Sequence, residues 1–489
     1  MRVLLVQPPG SNWIPGKRDV SAIVSRTAPL GLLSIASYLR ARRHSVLICD
    51  TYGLGYATGL ELVIRTVRNF QPAMVGLTAT TSAIDDASAF CRQIKRLFPE
   101  VLTVLGGVHA TAVGAALLDE FPSVDLLVLG EGEETMAELA SAAPIETIHG
   151  IAFRHEGKPR TSPPRQQIQN LDNLPFPDHS FLDGFPLRYP LPLFGAPASR
   201  GATIVTSRGC PYRCSFCVRS VFGSSYRVHS PDYIYEHAAQ LSRKYGIQHL
   251  NIADDLFTLD AKRVIEFCEL LIRRPLGLTM NCSVRAGHVN TPMLRALKRA
   301  GCWMISLGIE SGDPELLSRH KPGVRLERIR ETVQAIKNAG LKVKGLFIAG
   351  LPGETPGTLQ RTSDFMISLD LDDMNLTRFT PFPGAPSWPE LSRAGLISAD
   401  RRLMNCNNTV YLPPGFRSEE QFDFLYRQAV RRFYSQPRWR TRFLRRAWQC
   451  RSSFPRLLRH LPTLLSAQQS FRTPKSLKGP HAPPSRGEE

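Results

Sequence analysis

The sequence predicts an α/β protein built as a doubly wound parallel sheet, followed by a partial TIM-type barrel of six strands and six helices, a (β/α)6 unit, and then a basic helical C-terminal region. Three observations lead there. Five short apolar, β-branched runs alternate with stretches of helical character over the first 140 residues, a proline-rich interval breaks the rhythm, and six further strand-and-helix units begin at Ala202.

In the first unit the runs Arg2 to Gln7, Ser45 to Asp50, Ala73 to Thr78, Val101 to Gly106 and Asp125 to Gly130 read as strands. Strands separated by helices cannot be hairpins, so they pair in parallel and take cover on both faces. Residues 146–198 carry Pro159, Pro163, Pro164, Pro175, Pro177, Pro186, Pro190 and Pro192, with a hairpin signal at His155-Glu156-Gly157, and are read as the connection between units.

The barrel, 199–388, takes its strands from Ala202 to Thr206, Gln248 to Ile252, Leu278 to Cys282, Trp303 to Leu307, Val343 to Ile348 and Asp373 to Arg378. Chemistry is expected at the carboxyl ends of those strands. Residues 389–470 read as a basic, aromatic helical region, and 471–489 as a disordered tail.

Composition narrows the function classes. With 43% hydrophobic and 21% charged residues the chain is ordinary globular protein, and no run approaches the roughly 18 apolar residues of a spanning helix. Met1 to Gln7, followed by Pro8-Pro9, is too short for a signal peptide, so a cytoplasmic protein is expected. The net charge is +19, but residues 415–489 hold 16 Lys and Arg against 5 Asp and Glu, so +11 belongs to the tail and no nucleic-acid partner is expected. Arg438, Arg442, Arg445 and Arg446 with Trp439, Phe443 and Trp448 suggest either peripheral contact with an anionic membrane face or a helix packed on the barrel.

Ten cysteines are scattered along the chain, and only Cys210, Cys214 and Cys217 are closely spaced, in Ser207-Arg208-Gly209-Cys210-Pro211-Tyr212-Arg213-Cys214-Ser215-Phe216-Cys217 after the first barrel strand. A structural zinc site takes four ligands, and no fourth Cys or His follows at ribbon spacing. Three thiolates suit a 4Fe-4S cluster with one iron left open. An open iron is a place for S-adenosylmethionine to chelate.

This loop resembles that of the radical S-adenosylmethionine superfamily, including the aromatic Phe216 before the last cysteine. The resemblance implies reductive cleavage of S-adenosylmethionine to a 5'-deoxyadenosyl radical. It further implies that Asp254 and Asp255 receive the amino end of the cofactor, Ser283 its ribose and Arg285 its carboxylate, with Glu310 a further ligand, Ile348 packed on adenine and Gly350 shaping the backbone. Glu354 reads either as part of this signature or as a first-turn carboxylate of the next helix.

The first unit, through Pro29-Leu30-Gly31-Leu32, Thr78, Thr80, Thr81, Ser82, Gly106, Gly107 and Gly130, resembles the cobalamin-binding, Rossmann-like domain that precedes many such barrels. An open α/β sheet binds large cofactors across its carboxyl edge, where these hydroxyls and glycines would admit a nucleotide tail. The Asp-x-His-x-x-Gly motif that supplies a histidine beneath cobalt is absent, since the loop after the first strand begins Gln7-Pro8-Pro9-Gly10; His109 is read as a structural loop histidine or as a contact of the tail.

The expected function is therefore a cobalamin-dependent radical methyltransferase acting on an unactivated carbon of a small-molecule or lipid-like intermediate, with an electron from a reductant such as flavodoxin or ferredoxin. The rivals are an oxidative cyclase of the anaerobic magnesium-protoporphyrin monomethyl ester type and a non-enzymatic cobalamin or redox sensor. No motif names the substrate.

Overall fold

A computed structural model describes residues 1–9, 26–459 and 461. The tail expected to be disordered, 471–489, lies outside the described residues. The first sheet is ordered β2-β1-β3-β4-β5-β6-β7, from β1 (Arg2–Gln7), β2 (Ser45–Asp50), β3 (Met74–Thr78), β4 (Leu102–Gly106), β5 (Leu126–Val128), β6 (Ile151–His155) and β7 (Lys158–Thr161). The first five strands are parallel. Side chains alternate across the sheet: Val3 and Leu5 pack under the helices 30–41 and 133–140, while Leu4 and Val6 face the helices 56–70 and 84–97. Both faces are thus covered, as a parallel sheet requires.

The hairpin signal at His155 is realised, because β6 and β7 pair antiparallel around it. Those strands do not float in a connection. Val128 pairs with Ile151, so the hairpin extends the first sheet past residue 145 and covers the edge of β5.

The second sheet is β15-β14-β13-β12-β11-β8, all parallel and in sequence order, from β8 (Gly201–Ile204), β11 (His249–Ile252), β12 (Thr279–Arg285), β13 (Cys302–Glu310), β14 (Lys342–Ala349) and β15 (Asp373–Arg378). It is a half-barrel. Along β12, β13 and β14 fully buried residues such as Cys282, Leu307 and Phe347 alternate with half-buried ones such as Ser283, Gly308 and Ile348. The buried set packs under the helices, and the other set lines the concave face. A short ribbon, β9 (Ser207–Arg208) with β10 (Arg227–Val228), leads into and out of the cysteine loop and has no periodic signal in the sequence.

The two units are pinned together. Asp178, in the connection, accepts from Arg40 of the first unit at 2.6 Å and from Lys244 and Tyr245 of a barrel helix at 3.1 and 2.8 Å. Arg401, beyond the barrel, pairs with Asp85 at 2.7 Å.

The C-terminal helices 419–434 and 437–449 pack on the barrel. Phe422 and Phe433 are fully buried, and Tyr426 donates to the Leu376 carbonyl at 2.7 Å. Of the four arginines singled out in the sequence, Arg446 is buried on Asp373 at 3.0 Å, Arg442 pairs with Asp370 at 2.6 Å, and Arg438, though exposed, donates to the Leu369 carbonyl at 3.2 Å. Leu444, Arg445 and Trp448 face outward.

Phe433→Ala removes a ring from a filled site under these helices and is expected to lower unfolding stability by about 3 kcal/mol, read as a lower urea midpoint against wild type.

Candidate functional site

The cysteine loop leaves β9 through Gly209, whose φ of 85° and whose crowding by Ser225 O, 2.1 Å from where a Cβ would stand, admit only glycine. The root of the loop is held by carboxylates. Asp254 accepts from the backbone N–H and hydroxyl of Thr206, and from the Ser207 hydroxyl at 2.7 Å, with Arg263 at 3.8 Å; its side chain is fully buried. Asp255 accepts from the Gly209 N–H at 3.1 Å and remains exposed. Asp254, read from the motif as a cofactor contact, is thus consumed in bracing the loop, whereas Asp255 keeps a free oxygen edge.

Burial raises the pKa of the Cys210 thiol, and Asp255 and the Cys214 thiol raise it further. Cys217 is pushed up to about 12 by desolvation and then by Cys214, Asp255 and Cys210. Among the described residues no three His, Cys, Asp or Glu side chains already stand in a metal-holding arrangement. The donor set nevertheless fits an iron-sulfur cluster, with three soft sulfur donors on one loop and a cation beside them.

That cation is Arg285, at the end of β12. Its Nη1 donates to Cys214 Sγ at 3.5 Å, its Nη2 donates to Pro322 O at 2.5 Å, and its plane lies 3.9 Å from the Tyr212 ring centre. Tyr212 in turn meets His288 Nε2 at 2.5 Å. Ser283, two residues back on the same strand, lies half-buried on the concave face.

Glu310 closes β13 at a register shift, in the left-handed region at φ 68°. Such a bulge re-aims the carboxylate, which binds Lys321 Nζ at 2.8 Å. Ile348 packs with Phe216, Phe379 and Tyr411. Gly350, at φ 89°, donates its N–H to Glu354, whose carboxyl is fully buried and whose second oxygen has no partner. Thr355 and Thr358, not Glu354, cap the following helix reciprocally. Burial pushes the Glu354 pKa up to about 8.

The sequence reading missed His320. Its Nδ1 meets Ser215 Oγ at 2.6 Å and its Nε2 meets Pro352 O at 2.8 Å, so it stitches the cysteine loop to the Gly350 turn. Only the assembled barrel brings those three loops together.

A cavity of about 180 Å³ lies over the carboxyl ends of the first sheet. Thr78, Gly106, Gly107 and Gly130 line it, with Arg208, Phe222 and Tyr233 from the barrel side. Gly107 has φ 97°, and a Cβ there would stand 2.6 Å from Thr78 Oγ1, so the cradle depends on glycine. Thr80 and Ser82 bond each other at 3.3 Å and do not line the cavity. His109 is buried, meets Thr81 Oγ1 at 3.1 Å, has its pKa lowered to about 4 by burial, and does not line the cavity either.

Comparison with known proteins agrees with this geometry. Residues 204–366 match the model of the radical SAM superfamily and residues 17–140 that of the B12 binding domain. The chain is 34% identical over 444 residues to an uncharacterised methyltransferase of Pyrococcus horikoshii, covering 90% of this chain and 93% of that one. The chain belongs to the cobalamin-binding radical S-adenosylmethionine methylase family. It is 29% identical over 403 residues to the anaerobic magnesium-protoporphyrin IX monomethyl ester cyclase of Rubrivivax gelatinosus, covering 80% and 70% of the two chains. The fold is similar to that of the radical S-adenosylmethionine methyltransferase TsrM from Kitasatospora setae, with a TM-score of 0.70, 19% identity and 88% of each chain covered.

Two outcomes are expected. Gly107→Ala should lower corrinoid uptake on reconstitution several-fold, measured by absorbance, and leave the cluster's iron content unchanged. Glu354, with its folded pKa raised, stays protonated in the native state while the unfolded chain releases the proton; its stability contribution is full below about pH 4.5 and is lost as pH rises toward about 8. Glu354→Gln should therefore flatten the fall of the urea midpoint across that window.

Proposed function

We propose that this protein methylates an unactivated carbon of a small-molecule or lipid-like biosynthetic intermediate, drawing electrons from a carrier such as flavodoxin or ferredoxin. The observation that carries the reading is the juxtaposition of the cysteine loop with the first unit's cavity, since Arg208, two residues before Cys210, is itself part of the cavity wall. When bound, the cluster would deliver an electron to S-adenosylmethionine to generate a carbon radical, and cobalamin would carry the methyl group.

The chain's own residues have distinct tasks in this reading. Cys210, Cys214 and Cys217 hold the cluster, and the Arg285 guanidinium offsets its negative charge at Cys214. Ser283, Glu310, Ile348, Gly350 and Asp255 form the concave surface that receives S-adenosylmethionine, with Lys321 orienting Glu310. Thr78, Gly106, Gly107 and Gly130 accept the nucleotide tail of the corrinoid. Neutral, buried His109 stays out of the cavity, consistent with cobalt held without a protein imidazole.

The similarity to the cyclase supports a second reading, oxidative ring closure, which differs in product. The test is anaerobic reconstitution, reduction with dithionite in the presence of methyl-labelled S-adenosylmethionine, and chromatography for 5'-deoxyadenosine, with Cys214→Ala alongside. Wild type is expected to release 5'-deoxyadenosine and pass label to a methylated product, and Cys214→Ala to release none. A dehydrogenated, unlabelled product would favour the cyclase. Absence of 5'-deoxyadenosine from a reducible wild-type cluster would overturn both.

A further inference from the structure

Two carboxylates of the first unit and two guanidinium groups of the barrel meet at the boundary between the cavity and the cysteine loop. Arg208 Nη1 donates to Glu131 at 2.9 Å and its Nη2 to Glu133 at 2.6 Å, while Arg227 Nη1 donates to Glu131 at 2.9 Å. All four side chains are at most 9% exposed. Further hydrogen bonds tie the network into both units: the Ser34 hydroxyl donates to Glu133 at 2.6 Å, the Ile168 N–H donates to Glu131 at 2.9 Å, and Arg227 donates to Ile168 O at 2.7 Å.

Position gives the network its meaning. Glu131 lies in the turn after β5 and Glu133 opens the helix 133–140, Arg208 ends β9, and all three line the cavity together with Ser34 and with Phe222, over whose ring the Arg208 guanidinium lies at 5.1 Å. One residue, Gly209, separates Arg208 from Cys210. The wall that receives the corrinoid and the strand that launches the cluster ligands are thus joined by a charge-balanced network, in which Arg208 divides its two terminal nitrogens between Glu131 and Glu133 and Arg227 reaches Glu131 through Nη1.

A buried ion-pair network is a poor way to gain stability, because desolvating four charges offsets most of their attraction; its best-attested use is to fix register. Apolar packing between two units tolerates slip. A guanidinium divided between two carboxylates does not, since both bonds fail together when either unit shifts.

We propose that Arg208, Arg227, Glu131 and Glu133 are positioning residues that set the separation and orientation of the corrinoid relative to the cluster. This rests on both cofactors being bound as in the proposed function. A methyl group and a radical centre must meet at near-contact distance, where misplacement by about 1 Å costs roughly a hundred-fold in rate.

The test uses the full chain reconstituted with iron, sulfide and hydroxocobalamin, then reduced so that cob(II)alamin and the reduced cluster coexist. Pulsed electron paramagnetic resonance reads the dipolar coupling between the two spins. Wild type is expected to give one narrow distance. Arg208→Lys, which keeps the charge but loses the fork, and the neutral pair Arg208→Gln with Glu133→Gln are expected to keep iron and corrinoid content while broadening that distribution about two-fold or more. An unchanged distribution overturns the proposal. So does loss of corrinoid with retention of the cluster in Arg208→Lys, which would make the network a binding contact, and so does insolubility of both variants, which would make it purely structural. Failure of wild type to take up either cofactor instead marks failure of the proposed function.

Discussion

The root of the cysteine loop hangs on one buried carboxylate. Asp254 has no exposed side-chain surface, yet it accepts from the backbone and hydroxyl of Thr206 and from the hydroxyl of Ser207, with Arg263 close by. A carboxylate taken out of water needs partners to remain charged, and here its partners are the residues that turn β8 into the loop. Desolvation raises the Asp254 pKa while those hydrogen bonds hold it down. Everything that follows Ser207, from the first fork of Arg208 to the last cysteine, inherits its position from this anchor.

The loop beyond the anchor is fixed by groups from other strands. Arg285 reaches Cys214 from β12, His320 ties Ser215 to Pro352, and Asp255 holds the Gly209 N–H. Arg285 and Asp255 stand at the carboxyl ends of β12 and β11, Pro352 follows β14, and His320 ends the helix 314–320 that follows β13. Parallel pairing forces that convergence, because every strand must end at the same rim. The cavity of the first unit obeys the same rule, and the two rims face each other across Arg208 and Glu133. The two units are not held by apolar contact alone, since Asp178 and Arg401 add charged pins between them. The C-terminal helices belong to the same assembly: Arg442 and Arg446 pair with Asp370 and Asp373 of the barrel.

The alternation of apolar runs with helical stretches was enough to read two parallel sheets, because burial on both faces demands continuous apolar strands such as Val3 to Val6. The thiol spacing at Cys210, Cys214 and Cys217 likewise carried its chemistry in one dimension, since three donors on one loop are a local property. Gly107, singled out in the sequence as a glycine that would admit a nucleotide tail, stands at φ 97°, a conformation that favours glycine.

What lay beyond the sequence is whatever depends on residues far apart in it. That Asp254 braces Thr206 and that Arg446 faces Asp373 follow from which segments share a rim. The hairpin at His155 was visible as a turn, but its attachment to β5 was not, because strand pairing has no local signature. The sequence by itself determined the repeating units and the gathering of three thiols on one loop, both of which are written in local spacing. Tertiary structure alone decided how the two rims are locked together, because the bonds of Arg208 to Glu131 and Glu133 and of Arg227 to Glu131 join side chains 75 to 96 residues apart.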